Sequence, residues 1–422
     1  MKVAVIGAGI IGITTAYELA MDGHEVTVVE RRSAAAEESS FANAGIIAPG
    51  YAAPWAAPGM PGKVLSHLFR RHSPVRLSLP LSGAELAWVW SWLGACKPDI
   101  YLANRARLQR LALYSRHRLH AVSEGRELEY ERSDGYMVLL RSQKDSQLIQ
   151  PGLELLREAG VAFTQMDADE ARKIEPALNP DTPLSGALHL PAGEVANCRQ
   201  FALLLKNEAQ ALGVNFAFNT TVVKLDRAQP ATLFIAGSDQ SYNFDAVVMC
   251  AGLDSAKLLR PLGVKIPMVA VHGYSISAPI REPLNAPRSA LMDERYKVAI
   301  SRLGNRIRVA GSAEIGGAPD EHNKGSINTL YKVLQDWFPG AAQLSSTNGS
   351  VQRWKGARPM LPDGPPVIGP SGLTGLWLNL GHGASGWALS CGSARVLADL
   401  MAGRPAEIDM EGLGIGRLNG SS

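Results

Sequence analysis

The chain of 422 residues is long enough for two or three domains and for a large buried core. Its composition is 46% hydrophobic and 19% charged, near the globular average, which excludes intrinsic disorder and a coiled coil. The formal net charge of +3 is too small to indicate a nucleic-acid partner.

The N-terminus has the pattern of a strand, a glycine-rich turn and a helix. The β-branched run Lys2 to Ile6 leads into a G-x-G-x-x-G turn, and Ile13 to Asp22 has helical composition. A second strand is predicted at Glu25 to Val29. The whole pattern is typical of a dinucleotide-binding site. Its turn consists of Gly7, Ala8, Gly9, Ile10, Ile11 and Gly12.

Each part of this motif has a physical task. Gly7 permits the tight turn, Gly9 lets the backbone approach a pyrophosphate, and Gly12 lets the helix pack on the strand. Glu30 ends the second strand and is placed to accept hydrogen bonds from ribose hydroxyls, which disfavours NADP. The motif alone leaves NAD and FAD open. Arg31 is grouped with Glu30 among the cofactor-binding residues.

The middle of the chain alternates helices and strands. Small residues at 39–45, followed by a segment rich in Pro, Gly and Ala at 46–58, indicate close packing against backbone or a flat group. Helices are predicted at Leu86–Cys96, Ala103–Val122, Gln147–Ala159 and Arg199–Leu212, and strands at Asp134–Leu140, Val214–Phe218 and Thr220–Lys224.

Two further patterns complete the fold class. The apolar run Ala246 to Ala251, closed by Gly252, is typical of a strand buried in a parallel sheet. Short strands at Val269–Ser277, Tyr296–Ser301 and Arg306–Ala310 predict an antiparallel sheet inserted into this α/β frame. The strand Leu376–Leu380, a glycine turn at 381–386 and the helix Trp387–Met401 then repeat the arrangement of the N-terminus.

Cysteine spacing and hydropathy limit the expected cellular compartment of the protein. The four cysteines lie far apart without a C-x-x-C pair, so neither a metal site nor a disulfide framework is expected, and a reducing cytoplasm is the simplest compartment. The uncharged stretch Pro365 to Ala394 is broken by Pro and Gly and is not expected to span a membrane. The N-terminal apolar run merges into the glycine motif rather than a cleavage site, which argues against a signal peptide.

Together, these motifs and those given below resemble the bacterial D-amino acid dehydrogenase family, which belongs to the FAD-dependent D-amino acid oxidase-like oxidoreductases. The resemblance extends across nearly the whole chain. It is carried by residues 7–12 with Glu30, ANAG at 42–45, PGYAAPWAAPG at 49–59, HGYS at 272–275, YKVAI at 296–300 with NRIRV at 305–309, GARP at 356–359 with PDG at 362–364, and WLN at 377–379 running into GHG at 381–383 and GW at 386–387.

The resemblance implies bound FAD and an enzyme that transfers a hydride from the Cα of a D-amino acid to flavin N5. The product is an imino acid, which hydrolyses to a 2-oxo acid and ammonia, and the electrons pass to a membrane quinone or a similar carrier. His272, Ala357, Leu361, Ala384 and Ser385 depart from the best-known members. These positions lie in or beside the expected pocket, so a D-hydroxyproline dehydrogenase is one alternative. The others are an oxygen-using oxidase of this fold, a non-catalytic flavin-binding subunit and a nicotinamide dehydrogenase, which the N-terminal motif alone permits.

For catalysis, the group that must be present is a cation that binds the substrate carboxylate. The resemblance places Arg358 in that role, and a guanidinium suits a carboxylate bidentately. The alternative is a structural arginine paired with Asp363 or another acid. Tyr274 and Tyr51 are candidates to hydrogen-bond the same carboxylate or to line the pocket. The alternative is that they are core tyrosines with bonded hydroxyls. His382 is either a base or a loop histidine whose backbone does the binding.

The resemblance also implies cofactor contacts. Asn43, Ala44, Gly45 and Ile46 are expected to lie next to the flavin ring and the diphosphate, because small residues let the backbone approach the ring. The second glycine turn is expected to offer N–H groups to the pyrimidine end of the flavin, where reduction develops negative charge. Val223 is a candidate for backbone contact on the adenine side, with core packing as the alternative. The remaining predicted contacts are Gly252, Gly381, Gly383, Ala384, Ser385 and Gly386.

These patterns predict a Rossmann-like FAD-binding domain built from residues 1–80, 184–266 and 350–422. Residues 81–183 and 267–349 are expected to form an α+β substrate-binding domain with an antiparallel sheet. Three tryptophans, Trp88, Trp90 and Trp92, follow the basic residues Lys63, Arg70, Arg71 and Arg76. This segment either packs inside the substrate domain or lies peripherally on the inner face of the cytoplasmic membrane.

Overall fold

A computed structural model describes residues 1–68, 72–344 and 351–419 of the chain, so Arg70 and Arg71 lie outside the described residues. The strands are β1 Lys2–Ile6, β2 Glu25–Val29, β3 Ile46–Ile47, β4 Val75–Ser78, β5 Ser133–Leu140, β6 Thr164–Met166, β7 Gly186–Val195, β8 Asn215–Ala217, β9 Val222–Leu225, β10 Thr232–Ile235, β11 Ser241–Asn243, β12 Ala246–Met249, β13 Val269–Pro279, β14 Ala290–Asp293, β15 Val298–Leu303, β16 Arg306–Gly316, β17 Gln352–Met360, β18 Val367–Pro370 and β19 Leu376–Leu380. The helices are α1 Ile10–Met21, α2 Met60–Leu68, α3 Gly83–Ala95, α4 Pro98–Gly125, α5 Gln143–Glu158, α6 Ala168–Ile174, α7 Cys198–Ala211, α8 Asp254–Leu259, α9 Lys324–Trp337 and α10 Gly386–Met401.

The first large sheet has six strands in the order β18-β19-β12-β1-β2-β8. All its neighbours pair in parallel except β18, which is antiparallel to β19. One face packs against α1, α7 and α10 through residues such as Ile13, Phe201 and Leu397. The small sheet β9-β10-β11 covers the other face. Because both faces are covered, β1 and β12 are apolar along most of their length.

The second large sheet has ten strands and is mostly antiparallel. Its main order is β17-β13-β16-β15-β14-β5-β7-β3, with β4 paired to β16 and β6 paired to β7. Helix α9 covers one face, where Tyr274, Ile276, Leu330 and Trp337 form a buried cluster. A sheet of this kind next to a doubly wound parallel sheet confirms the predicted fold class.

The predicted domain boundaries at residues 80, 183, 266 and 349 stay a prediction. All six strands of the first sheet come from the segments assigned to the FAD-binding domain. The same segments also supply β3, β4, β7 and β17 to the second sheet. The two sheets therefore share chain segments.

A buried ionic network joins the helices of the first sheet. Glu18 on α1 is 1% exposed and accepts hydrogen bonds from Arg395 on α10 at 2.9 Å and from Arg118 on α4 at 2.6 Å. Arg395 also binds Asp22 and Asp399. The network holds α1 and α10 side by side, and both helices begin directly after a glycine turn.

The length and hydropathy of the helices show whether any of them could span a membrane. Throughout residues 1–68, 72–344 and 351–419, every helix is too short or too polar to cross a lipid bilayer.

Candidate cofactor and substrate site

The first glycine turn is shaped by contacts that only glycine allows. Gly7 has a φ of +105°, and a Cβ there would lie 2.7 Å from the carbonyl oxygen of Cys250. A Cβ on Gly12 would overlap the carbonyl oxygen of Gly7. At Gly9 the nearest atom to such a Cβ is Ser40 Oγ at 3.5 Å, which is ordinary contact. Gly7 and Gly12 are thus required by the fold itself, whereas the space beside Gly9 is left for a ligand.

Glu30 lies at the mouth of this turn. Its Oε2 accepts a hydrogen bond from the backbone N–H of Ala8, and its Oε1 accepts one from the N–H of Arg32, each at 2.7 Å. The carboxylate is therefore held beside the glycines, where ribose hydroxyls are expected. Arg31 points elsewhere, since its guanidinium pairs with Glu38 at 3.0 Å and with Asp254.

The segment 42–45 is held by side chains of the second sheet. The three successive carbonyl oxygens of residues 42, 43 and 44 accept hydrogen bonds from Ser275 Oγ at 2.8 Å, Arg308 Nη1 at 3.1 Å and Ser301 Oγ at 2.7 Å. Gly45 has a φ of +77°, and a Cβ there would lie 2.7 Å from the carbonyl oxygen of Ala196. This segment therefore presents its carbonyls to the second sheet.

Arg308 was missed by the sequence reasoning. It is 8% exposed, donates to Ser277 Oγ at 2.9 Å as well as to residue 43, and burial lowers its pKa to about 10. The sequence carries no signal of its burial, because Arg306 and Arg308 alternate with Ile307 and Val309. This alternation predicts an exposed face for both arginines, whereas in the structure Arg306 is exposed and Arg308 is buried.

Arg358 lies on β17 with its guanidinium against Gly273 of β13, where a Cβ would overlap it. Nη1 donates to the carbonyl oxygen of Ser312 at 3.0 Å, and burial lowers the pKa of Arg358 to about 10. Within the part of the chain that the structure describes, Arg358 forms no ion pair. Asp363, its expected partner in the alternative interpretation, pairs instead with Arg417 at 2.6 Å. A half-buried guanidinium without an acid is suited to bind an anionic ligand.

The structure places Tyr274 on the opposite face of the sheet from Arg358. Tyr274 is directly opposite Lys355, whereas Arg358 is opposite Val271, and neighbouring positions along a strand face opposite ways. The Tyr274 hydroxyl donates to Glu314 in the cluster under α9. Burial, with Glu314, raises its pKa above the usual range. A role for Tyr274 at the substrate carboxylate stays a prediction, and this geometry favours the alternative of a core tyrosine with a bonded hydroxyl.

Tyr51 also has a bonded hydroxyl. It donates to Glu294 Oε2 at 2.9 Å, and its ring packs edge-on against Tyr136 with 5.7 Å between the ring centroids. Burial, together with the nearby carboxylate, raises the pKa of Tyr51 well above its usual value. A role for Tyr51 at the substrate carboxylate stays a prediction, and this geometry favours the alternative of a packed tyrosine.

The second glycine turn packs against the end of β17. Gly381 and Gly383 have φ values of +79° and +55°. A Cβ on Gly381 would lie 2.5 Å from Leu361 Cδ1, and one on Gly383 would lie 2.6 Å from Met360 Sδ. The backbone of His382 also bridges to Met360, two residues beyond Arg358. The structure therefore brings the predicted carboxylate clamp next to this turn, which continues through Ala384 and Ser385 to Gly386 at the start of α10.

The His382 side chain faces the protein interior. It is 4% exposed, its Nε2 lies 3.0 Å from Ser393 Oγ on α10, and burial lowers its pKa to about 3. The imidazole is therefore neutral at any ordinary pH. This arrangement favours a loop histidine over a general base.

Three glycine turns meet at one edge of the first sheet. β1, β12 and β19 are parallel neighbours, so the turns that follow them, with Gly7, Gly252 and Gly381, lie at the same carboxyl edge. Ligands of such sheets bind outside this edge. Gly252 has a φ of +54° with open space around it. Val223 is 53% exposed on β9, which excludes the alternative that its side chain packs in the core.

These residues fit a dinucleotide the size of FAD. The N-terminus of α1 has Gly9 as its N-cap, and the N–H of Ile10, the first residue of the helix, donates to Ser40 Oγ at 3.0 Å. The partial positive charge of the helix is directed at the open space beside Gly9. The second glycine turn lies two strands away, next to Arg358, where the reactive end of a long cofactor would meet a substrate. The contacts of the individual cofactor-binding residues stay predictions.

The fold and the paired glycine turns define a flavin-dependent oxidoreductase, and the chain belongs to the family of FAD-dependent oxidoreductases, whose model matches residues 2–400. Its relatives include the D-amino acid dehydrogenase of Cereibacter sphaeroides, 43% identical over 419 residues, which cover 99% of this chain and 95% of the relative. The D-amino acid dehydrogenase of Rhizobium rhizogenes is 41% identical over 422 residues, covering 99% and 100%. The family resemblance is thereby confirmed.

Solved structures agree on the fold. The glycine oxidase from Geobacillus kaustophilus superposes with a TM-score of 0.77 at 20% identity, covering 98% of both chains. The L-proline dehydrogenase from P. horikoshii gives a TM-score of 0.72 at 17% identity, covering 99% of this chain and 97% of the other. The predictions of an enzyme, an oxidoreductase and an FAD cofactor are confirmed.

Proposed function

We propose that the chain is a D-amino acid dehydrogenase that binds FAD along the carboxyl edge of the first sheet and the substrate carboxylate at Arg358. One observation supports this most directly. Among the described residues, the half-buried Arg358 has no ion pair, and it lies two residues from the strand position that bridges to the second glycine turn. The similarity to D-amino acid dehydrogenases over almost the whole chain agrees with it.

The protein contributes mainly binding and orientation. Bound FAD supplies the hydride acceptor for the substrate Cα–H bond. Arg358 is placed to hold the carboxylate through its forked N–H donors, which fixes the orientation of Cα. As the hydride leaves Cα, the lone pair of the neutral amine forms the C=N bond of the imino acid, and water then releases a 2-oxo acid and ammonia. Neither step requires a base at His382.

Reduction by substrate is the decisive experiment. The purified protein is expected to be yellow, and its flavin absorbance should bleach anaerobically with D-alanine and not with L-alanine. Protein without FAD, or flavin that no D-amino acid or imino acid reduces, would overturn the proposal. D-hydroxyproline in the same assay distinguishes the alternative substrate, and reoxidation by oxygen against a soluble quinone distinguishes oxidase from dehydrogenase.

The role of Arg358 is tested by two substitutions. Arg358→Met should raise KM for D-alanine and slow flavin reduction about 100-fold, because a charge-assisted bidentate contact is lost. Arg358→Lys should keep the charge and recover part of the loss. FAD should stay bound in both variants. Unchanged reduction kinetics in Arg358→Met would exclude the clamp.

For the electron acceptor, we infer a membrane quinone or a similar carrier, reached from a peripheral position. An apolar surface on α2, α3 and the segment between them supports this. It consists of exposed side chains, with Trp90 exposed by 78%, and its other members are Leu65, Leu79, Leu86 and Leu93. The guanidinium of Arg76 packs on Gly325. The sequence of residues 60–97 otherwise has the basic residues Lys63, Arg70, Arg71 and Lys97 against one acid, Glu85, and this positive balance favours an anionic lipid surface.

The three tryptophans of α3 differ in how far they are buried. Trp88 is 4% exposed and donates from Nε1 to the carbonyl oxygen of Met360 at 2.9 Å. Trp92 stacks on Trp88 with 6.5 Å between the ring centroids. Only Trp90 of the three is exposed, so the alternative of packing inside the fold holds for Trp88 and Trp92.

Vesicle binding tests this surface. The protein should sediment with vesicles containing anionic phosphatidylglycerol, and Trp90→Glu should weaken that binding several-fold. Leu284→Glu is the matched control, because Leu284 is 86% exposed on the turn that follows β13, outside α2 and α3. Equal binding of the Trp90 variant and the control would exclude the surface as a membrane contact.

A further inference from the structure

A pair of glycines forms a flat platform beside the carboxylate clamp. Gly273 on β13 and Gly356 on β17 are directly opposite each other across the two strands. The guanidinium of Arg358 lies over Gly273, and the six-membered ring of Trp354 lies over Gly356. In each case a Cβ on the glycine would overlap the group above it. The indole ring and the guanidinium are therefore neighbours on one face of the sheet.

The spacing of these two groups matches an amino acid. Cβ positions of directly opposite residues are about 5 Å apart, and the guanidinium and the ring each cover one of them. A carboxylate held at Arg358 puts its Cα one bond away, so the substituents of that carbon are within reach of Trp354. Trp55 lies on the guanidinium itself, 5.7 Å from its ring centroid to Arg358 Cζ.

Trp354 keeps some access to solvent although the strand beside it is buried. Trp354 and Arg358 are both half-buried, whereas Gly356, which lies between them on β17, is buried. An accessible aromatic ring next to a cation is a suitable surface for an apolar group and a poor one for a charged group, because a charge would lose hydration there without gaining a partner.

We propose that Trp354 is a specificity-determining residue that forms the wall contacting the substrate side chain, and that it favours D-amino acids with large apolar or aromatic side chains. This inference rests on the proposed function and on the clamp at Arg358. It predicts that D-phenylalanine is a better substrate than D-alanine, and that the difference depends on the indole ring.

The substrate selectivity of FAD-loaded variants tests whether Trp354 forms this wall. Trp354→Leu should lower the ratio of kcat/KM for D-phenylalanine over D-alanine about tenfold, and Trp354→Phe should lower it about threefold. Leu284→Ala, at a position that is 86% exposed and outside both proposed binding surfaces, should leave the ratio unchanged. An unchanged ratio in Trp354→Leu overturns the inference. If that variant does not fold, an unchanged ratio in Trp354→Phe overturns it equally.

Binding of unreactive carboxylates separates this inference from the proposed function. By calorimetry, Trp354→Leu should weaken 3-phenylpropionate about tenfold and change propionate by less than about twofold. If no D-amino acid reduces the flavin but this difference is found, the proposed function fails and the wall stands. If D-amino acids are oxidised and both carboxylates weaken equally, the wall fails and the proposed function stands.

Discussion

Gly9→Ala is expected to weaken FAD binding while leaving the protein without FAD almost as stable as before. The new methyl group would lie 3.5 Å from Ser40 Oγ, an ordinary contact, and the backbone of Gly9 is extended at φ −70° and ψ 179°, which alanine adopts readily. Alanine is a poorer N-cap than glycine, so the free energy of unfolding should fall by about 0.5 kcal/mol.

The cost for the cofactor is larger, because the methyl group takes the space where a pyrophosphate would approach the first turn of α1. Losing one charge-assisted hydrogen bond to that phosphate costs about 1.5–3 kcal/mol, which is about a 10- to 150-fold rise in the dissociation constant. The assay is titration of the stripped protein with FAD, followed by flavin fluorescence, beside urea unfolding of the same stripped protein.

Gly12→Ala is the contrasting control. Its methyl group would overlap the carbonyl oxygen of Gly7, so the variant should be destabilised with or without FAD. An unchanged FAD dissociation constant in Gly9→Ala would refute the placement of the pyrophosphate beside Gly9. A loss of stability in the stripped Gly9 variant as large as that in the Gly12 variant would refute the steric reasoning.

Three further outcomes are expected. Replacing Trp88 by Ala should lower the free energy of unfolding by about 3–5 kcal/mol, whereas Trp90→Ala should change it by less than about 0.5 kcal/mol, as urea titrations would show. Arg395→Met should cost about 3 kcal/mol, because Glu18 is left buried with one partner fewer; equal melting temperatures would contradict this. The pKa of His382 is about 3 folded and 6.5 unfolded, so the unfolded chain binds the proton first and stability falls as pH drops through this window; His382→Asn should lose less stability between pH 6.5 and 4.

The parts of the fold that depend on local pattern could be predicted from the sequence. β1, β2 and β19 have the predicted bounds, because short apolar strands next to glycine turns leave little choice. Helix α1 begins at Ile10 rather than Ile13, since glycine at the N-cap lets the helix start inside the motif. Helix α9 was missed although Ile327, Leu330, Leu334 and Trp337 recur at helical spacing, so its signal was present in the sequence. The strands β7 and β17 were not predicted, because polar and small residues along them blur their periodicity.

The arrangement of side chains around Arg358 could not be predicted in the same way. Strand alternation already separates Gly273 from Tyr274 along β13, but only the register with β17 shows which of the two faces the clamp. The ring of Trp354 over Gly356 depends on a rotamer, which no spacing in the sequence specifies. Asp363 was a reasonable partner for Arg358 by proximity along the chain, yet Arg417 reaches it from the C-terminal segment.

The hydrogen bonds from Ser275, Ser301 and Arg308 to residues 42–44 have a consequence for how the molecule melts. A segment predicted to touch the cofactor takes its shape from the sheet that carries Arg358. A ligand that binds only the native segment stabilises everything that keeps the segment native. FAD should therefore protect both sheets together, and the loaded chain should unfold in one cooperative step.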